Sequence, residues 1–136
     1  MHNQTPEMLG NADLAMYQQR IGDSEHLALV ATYEAKVVAF KLGYAKSANT
    51  FYSWLGAVDP QHRGKGIAKA LLLAQEKWAC ERGYTQIEVK TMLRFDAMLA
   101  MLRSHGYIQK TKNEAITAHS KIHFYKLLEP NKHELL

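Results

Sequence analysis

The chain lacks most of what would staple it, anchor it or load it with metal. A single cysteine, Cys80, stands among 136 residues, so no internal disulfide can form. Its place in an apolar helical stretch suits a packed thiol in a reducing compartment better than a nucleophile. No apolar run is long enough to cross a bilayer, and no charged leader with a short apolar core opens the chain. A soluble, cytoplasmic protein without membrane contact is expected. No Cys/His spacing resembles a zinc site. His119 and His123 are four apart, but on an extended segment that separates them by about 13 Å, too far to share an ion. No metal is therefore expected. Charge of one sign is scarce as well: the net charge of +4 suits a small polyanion as readily as nucleic acid. The basic residues are scattered, without a recognition motif or an aromatic platform, so nucleic acid is not expected as a partner. Internal repeats, low-complexity tracts and linkers are missing too.

What is present is the material of one globular domain, residues 1–136, because 47% apolar residues over this length can bury roughly two thirds of the unfolded surface. Apolar positions between Pro6 and Ile21, closed by Gly22, predict a helix, in one or two pieces. Leu27 to Tyr33 and Val37 to Tyr44 flank a Glu34-Ala35-Lys36 turn and read as a β-hairpin. After the polar stretch 46–49, Thr50 to Val58 forms a third strand rich in aromatic residues. Ile67 to Arg82 places positions 67, 71, 74 and 78 on one helical face, with Gly83 at the C-cap. Ile87 to Lys90 is a strand, a helix begins near Asp96 and closes at Gly106, and 115–117 and 121–128 read as two further strands. Residues 129–136 form a tail. Strand, helix and strand across position 67 make a βαβ unit with parallel strands, to which the hairpin and the C-terminal strands add antiparallel neighbours. The fold class is mixed α/β, a twisted sheet with helices on both faces.

Val58-Asp-Pro-Gln-His-Arg-Gly-Lys-Gly-Ile-Ala68 carries the most chemistry. Two glycines two apart, flanked by Arg63, Lys65 and Lys69, let the backbone come close to a ligand at the start of a helix. Free amide N–H groups, the helix dipole and the cations together favour a phosphate or diphosphate. The loop is not a Walker A motif, which needs glycine where Asp59 stands and Ser or Thr where Gly66 stands. Nor is it a dinucleotide fingerprint, which needs Gly or Ala at Lys69.

It does match Gln/Arg-x-x-Gly-x-Gly/Ala, filled by Gln61, Gly64 and Gly66 and preceded by Val58-x-Pro60. This resembles the coenzyme A loop of the GNAT superfamily of acyl-CoA-dependent N-acetyltransferases. A second block, from Lys90 through Met98 to Gly106-Tyr107, is similar to the family's other signature, in which a helix ends in Gly-Phe or Gly-Tyr. Leu93 or Arg94 stands at the usual Asn, and Leu102 where many members carry a tyrosine. The resemblance spans about residues 27–127. It implies a GNAT-like sheet around a central cofactor-binding βαβ unit, with an edge strand ahead of the first helix that only Met1 to Thr5 could supply. It implies acetyl-CoA as co-substrate, held by Val58, Gln61, His62, Arg63, Gly64, Lys65, Gly66, Ile67, Ala68 and Lys69.

Attack of an amine on a thioester needs a deprotonated nitrogen near the carbonyl carbon and a donor for the oxyanion, with little covalent machinery. In relatives the strand before the glycine loop splays from its parallel neighbour and exposes backbone groups; here that is Trp54 to Val58. Tyr52 is the first candidate for a general base and Glu88 the second. The thiolate can depart unaided at an intrinsic pKa of about 8.5; if an acid acts, Tyr107 or His105 is nearest. The expected activity is transfer of acetyl from acetyl-CoA to a primary amine on a small molecule or peptide. The alternative is an acyl-CoA-binding regulatory module without catalysis, which the residues at 93 and 102 favour. The C-terminal strands leave a homodimer open.

Overall fold

Two stretches rich in β-branched and aromatic residues, β1 (His26–Tyr33) and β2 (Lys36–Ala45), pair antiparallel in the computed structural model, which describes residues 17–110 and 120–129. Their turn is Glu34-Ala35, both in left-handed backbone with φ of 50° and 66°, the geometry whose twist suits a two-residue hairpin. The register slips once: Ala31 faces Ala39 but Thr32 faces Val37, which leaves Val38 as an extra residue in β2. Its carbonyl accepts the Asp59 amide at 2.8 Å, so this bulge fixes where the glycine-bearing loop begins.

β3 (Thr50–Val58) lies antiparallel to β2 and parallel to β4 (Gln86–Met92); β6 (Lys121–Leu127) pairs antiparallel with β4, and the two-residue β5 (Ile108–Gln109) closes that edge. The sheet order is β1-β2-β3-β4-β6-β5. The expected mixed sheet with its parallel βαβ crossover is thus present. β5 was not anticipated, because two residues carry no periodicity. The strand expected at 115–117 and the edge strand at 1–5 lie outside the described residues, as does most of the first helix.

Of that helix, α1, residues 17–21 are described; α2 spans Ile67–Glu81 and α3 Asp96–Ser104. Phe51 packs against Trp78 of α2, whereas Arg20 of α1 reaches Tyr44 and Trp54. Tyr44 pairs with Tyr52, and Tyr52 points opposite to Phe51, so α1 and α2 cover different faces. Phe51, Leu72, Ile87, Leu102 and Phe124 are fully buried on the α2 and α3 side.

Both of these helices end in the same device. The Tyr84 amide bonds the Ala79 carbonyl while Gly83 bonds Cys80; the Tyr107 amide bonds Leu102 while Gly106 bonds Arg103. These are Schellman closures, and the tyrosine that follows each glycine drops into the core. The expected C-caps are therefore also the anchors that fix α2 and α3 to the sheet.

Candidate functional site: a donor-lined loop and a splayed sheet

The loop divides into a half that caps itself and a half that does not. Asp59, 4% exposed, begins a single 3-10 turn, Pro60–His62. Its Oδ1 accepts the Gln61 amide at 3.2 Å, its backbone oxygen accepts the His62 amide at 2.8 Å, and Oδ2 lies 3.3 Å from His62 Nδ1. The His62 ring also packs 5.4 Å from that of Tyr33. Arg63 gives its amide to the Pro60 carbonyl and its Nε to the Val58 carbonyl at 3.1 Å. Asp59, Gln61 and His62 thus shape the turn, and the amides at 61–63 are spent within it.

From Gly64 on the pattern changes. Gly64 and Gly66 have φ of 77° and 80°, and a Cβ added at either would meet no atom within 4 Å. These glycines are needed for backbone conformation, and what lies in front of them is open space. Gly66 is the N-cap of α2 without any side-chain cap. The first helical bond runs from the Ala70 amide to Gly66, which leaves Ile67, Ala68 and Lys69 as the orphan donors of a helix start. Among the described residues no acceptor meets the amides of 64–69. Lys65 and Lys69 are exposed and join Arg63 around them. A cradle of six unspent donors at a positive dipole end fits a diphosphate.

The strand leading into this loop leaves its neighbour. β3 and β4 pair only from Thr50↔Gln86 to Ser53↔Val89. Across β2 the partners run Leu42↔Leu55 and then Gly43↔Ser53, so Trp54 is bulged out where the parallel pairing stops. Residues 54–57 therefore face β4 with backbone that it does not pair, while the Val58 carbonyl is taken by Arg63.

Both base candidates flank this opening. Tyr44, Tyr52, Glu88 and Tyr125 are successive register partners and line one row across β2, β3, β4 and β6. Tyr52 is 7% exposed; burial, then the Tyr44 hydroxyl beside it, pushes its pKa above the usual phenol value, with Arg20 opposing. It is a protonated hydroxyl at neutral pH. Glu88 accepts from Lys46 at 2.7 Å and Lys110 at 3.0 Å, and from the Gln86 side-chain amide at 2.9 Å. Burial alone would raise its pKa, yet the two lysine hydrogen bonds and their charges outweigh that and hold it below the ordinary carboxylate range.

Tyr107, by contrast, is sealed against α2. Its hydroxyl donates to Glu76 at 2.8 Å, and burial first, then the Glu76 charge, forces its pKa far above the normal range. It is held as an internal donor and does not reach the row of Tyr52 and Glu88. His105 sits at the end of α3 with Nδ1 2.8 Å from the Met101 carbonyl. Cys80 is half-buried and unbridged. His123 lies in β6 and has an interaction of its own; His119 lies outside the described residues.

Sequence reasoning missed the company that Glu88 keeps. Arg20 donates to the Tyr44 hydroxyl at 3.0 Å and lies over Trp54, and Lys90 Nζ lies 5.4 Å above the Tyr52 ring. The strand register would have found Tyr44 and Lys90; nothing local announces Lys46 or Lys110.

With that geometry in hand, comparison places the chain. Residues 2–107 match the family described as Acetyltransferase (GNAT) family. A mouse protein described as probable N-acetyltransferase family 8 member 5 is 31% identical over 86 residues, which cover 58% of this chain and 38% of that protein. The chain thus spans well under half of that relative. Among solved structures, the ribosomal-protein-S18-alanine N-acetyltransferase from Escherichia coli superposes with a TM-score of 0.72 at 19% identity, covering 94% of this chain and 96% of that one. A GNAT family acetyltransferase from Elizabethkingia anophelis, with acetyl-CoA bound, gives 0.69 at 16% identity, covering 89% and 87%. At these identities the superpositions speak for the fold, and the family match speaks for descent: the chain belongs to the GNAT acetyltransferase family.

Proposed function

We propose that the protein transfers an acetyl group from acetyl-CoA to a primary amine by direct attack. The observation that carries this reading is the run of six amides, 64–69, that meet no acceptor among the described residues at the start of α2, behind two glycines that face open space. Those amides, with Arg63, Lys65 and Lys69, hold the diphosphate. The backbone of Trp54–Ala57 that β4 leaves unpaired holds the pantetheine arm and offers the oxyanion a donor. The bound co-substrate supplies an activated carbonyl and a thiolate that departs without a protein acid.

Of the candidate bases, Glu88 fits best. It is ionised, lies beside the point where the sheet opens and has oxygens that can take a proton from an incoming ammonium, directly or through one water. Tyr52, whose proton is held, positions the amine as a hydrogen-bond partner. Tyr107 is assigned to structure.

The test has two stages. Coenzyme A at millimolar concentration raises the melting temperature as RT ln(1 + [L]/Kd), and Arg63→Glu or Gly64→Val removes the rise, read for each variant with and without ligand. Free thiol is then released from acetyl-CoA when an acceptor amine is added. A thermal shift without amine-stimulated release across amino acids, peptides, polyamines and aminoglycosides would instead identify a binding module that has lost catalysis. No shift at all would remove both.

A further inference from the structure

The charge around Glu88 is out of balance. Lys46 and Lys110 both bind its carboxylate. Beside them stand Lys90, above the Tyr52 ring, and Arg20, above Trp54 and against Tyr44. Lys121 begins β6 opposite Met92, two register positions from the Lys90↔His123 pair and on the same face. Five cations thus gather about one carboxylate, and among the described residues Arg20, Lys90 and Lys121 have no carboxylate partner. They feel one another: burial first, then the charges of Lys121, Lys46 and Arg20, lower the Lys90 pKa. A fold gains no stability from like charges crowded on one partly buried face. The arrangement becomes favourable when an anion enters.

We infer that the acceptor is a primary amine carrying an anionic group, a carboxylate or phosphate near the nitrogen, with the amine directed to Glu88 and the anion to Lys90, Arg20 and Lys121. This rests on the acetyl-transfer reading and narrows it. The opened strand at Trp54 and the Tyr52 hydroxyl place the nitrogen. The surplus cations then select among amines by charge. Polyamines and aminoglycosides, which are polycations, are repelled by the same groups. The carboxylate that accepts the ammonium proton and the cations that accept the anion gather on one face of the sheet, with Arg20 reaching it from α1, so both ends of a small zwitterion are met at once.

Matched acceptors isolate the effect. Thiol release from acetyl-CoA is measured with free amino acids and with their carboxamides, compared per unprotonated amine. Phosphoethanolamine against ethanolamine separates phosphate from carboxylate as the preferred anion. The expected result is a kcat/KM at least tenfold higher for the anionic member of each pair, shrinking as ionic strength rises through a Debye length of about 8–10 Å. Lys90→Glu should lower the preference or reverse it, and Lys90→Gln should reduce it less. Equal or better turnover of the carboxamides and polyamines, with robust thiol release, overturns this inference and leaves the acetyl-transfer reading intact. Coenzyme A binding without release from any amine overturns both.

Discussion

Glu76 and Glu88 are both buried glutamates, 9% and 8% exposed, each held by side chains from distant parts of the chain, yet the two are used differently. Glu76, on α2, accepts from Tyr107 and from Lys126, each at 2.8 Å, and Lys41 adds its charge from beneath β2. Its partners come from elements packed against one another, so the cluster ties α2 to β6 and to the end of α3. Glu88 lies on the other face, and its lysines are more exposed, 52% and 37% at the side chain against 27% for Lys126. Held by groups that reach solvent and set beside an opened strand, it remains accessible to a ligand. Burial of a carboxylate does not distinguish a structural role from a chemical one. The exposure of its partners does.

The largest expected effect tests this contrast at Glu88. Glu88→Gln removes the proposed proton acceptor while keeping the shape, so amine-dependent thiol release falls by about 10²–10⁴-fold. The melting temperature should stay close to wild type, since exposed ion pairs contribute about 0–1 kcal/mol. A rate within a few-fold of wild type would remove Glu88 from the chemistry.

Glu76→Ala should do the opposite. It strands a buried tyrosine hydroxyl and a half-buried ammonium, at a cost of about 2–4 kcal/mol, read as a fall in melting temperature on the order of 10 °C. Turnover per folded molecule, measured well below that temperature, should hold. A catalytic defect without a stability defect would reverse the roles assigned to the two glutamates.

How far the sequence reaches follows the same division. The βαβ unit was legible because Gly64 and Gly66 sit between an aromatic strand and a helix with a clear apolar face, and the two Schellman closures were legible at Gly83 and Gly106. The ten-residue cofactor block reads as uniform, but the structure separates it: Asp59 takes up the amides of Gln61 and His62, and only the fold shows that this carboxylate caps the turn that follows it. Tyr107 is a candidate acid only by its nearness in sequence. The hidden fact was that its own partner, Glu76, lies 31 residues away. The cations around Glu88 come from α1, from β4 and β6, and from residues just beyond β2 and β5. No local pattern links them, since their neighbourhood is made by strand order alone.

Lys41 offers a third comparison within the α2 face. It is 8% exposed, and burial lowers its pKa to about 8, with Glu76 pulling the other way. Between pH 8 and the unfolded value near 10.5 the unfolded chain binds more protons than the native one, so this residue makes stability rise with pH across that window. Below pH 8 both states are charged and the burial penalty is constant, on the order of 3 kcal/mol at 1.36 kcal/mol per unit. Lys41→Met, of similar volume, should therefore raise the melting temperature at pH 7, and the advantage should shrink as pH climbs from 8 to 10.5. An advantage that does not depend on pH would mean that the folded and unfolded chains hold the Lys41 proton equally, so that burial does not lower its pKa.

The smallest effect is the most discriminating for the electrostatic account of Glu88. Its ionised state is maintained against burial by Lys46 and Lys110, so Lys46→Met and Lys110→Met should each raise its carboxyl titration midpoint, followed by carbon-detected NMR, and the double variant should raise it further. The sign is fixed: removing a cation disfavours the carboxylate and moves protonation to higher pH. The native-state stability linked to this group is present above the unfolded carboxylate pKa and is lost as pH falls through the depressed folded value. In the double variant that acid-side loss should shrink, because its upper limit is set by the unfolded value while its lower limit rises with the folded one, and stability at pH 7 changes by about 1 kcal/mol or less for each exposed pair. If the midpoint stays put in both single variants, the lysines are not what holds the charge. The surplus of cations on that face would then have to be counted again, with Lys90 and Arg20 rather than Lys46 and Lys110 as the groups that set the potential at the carboxylate.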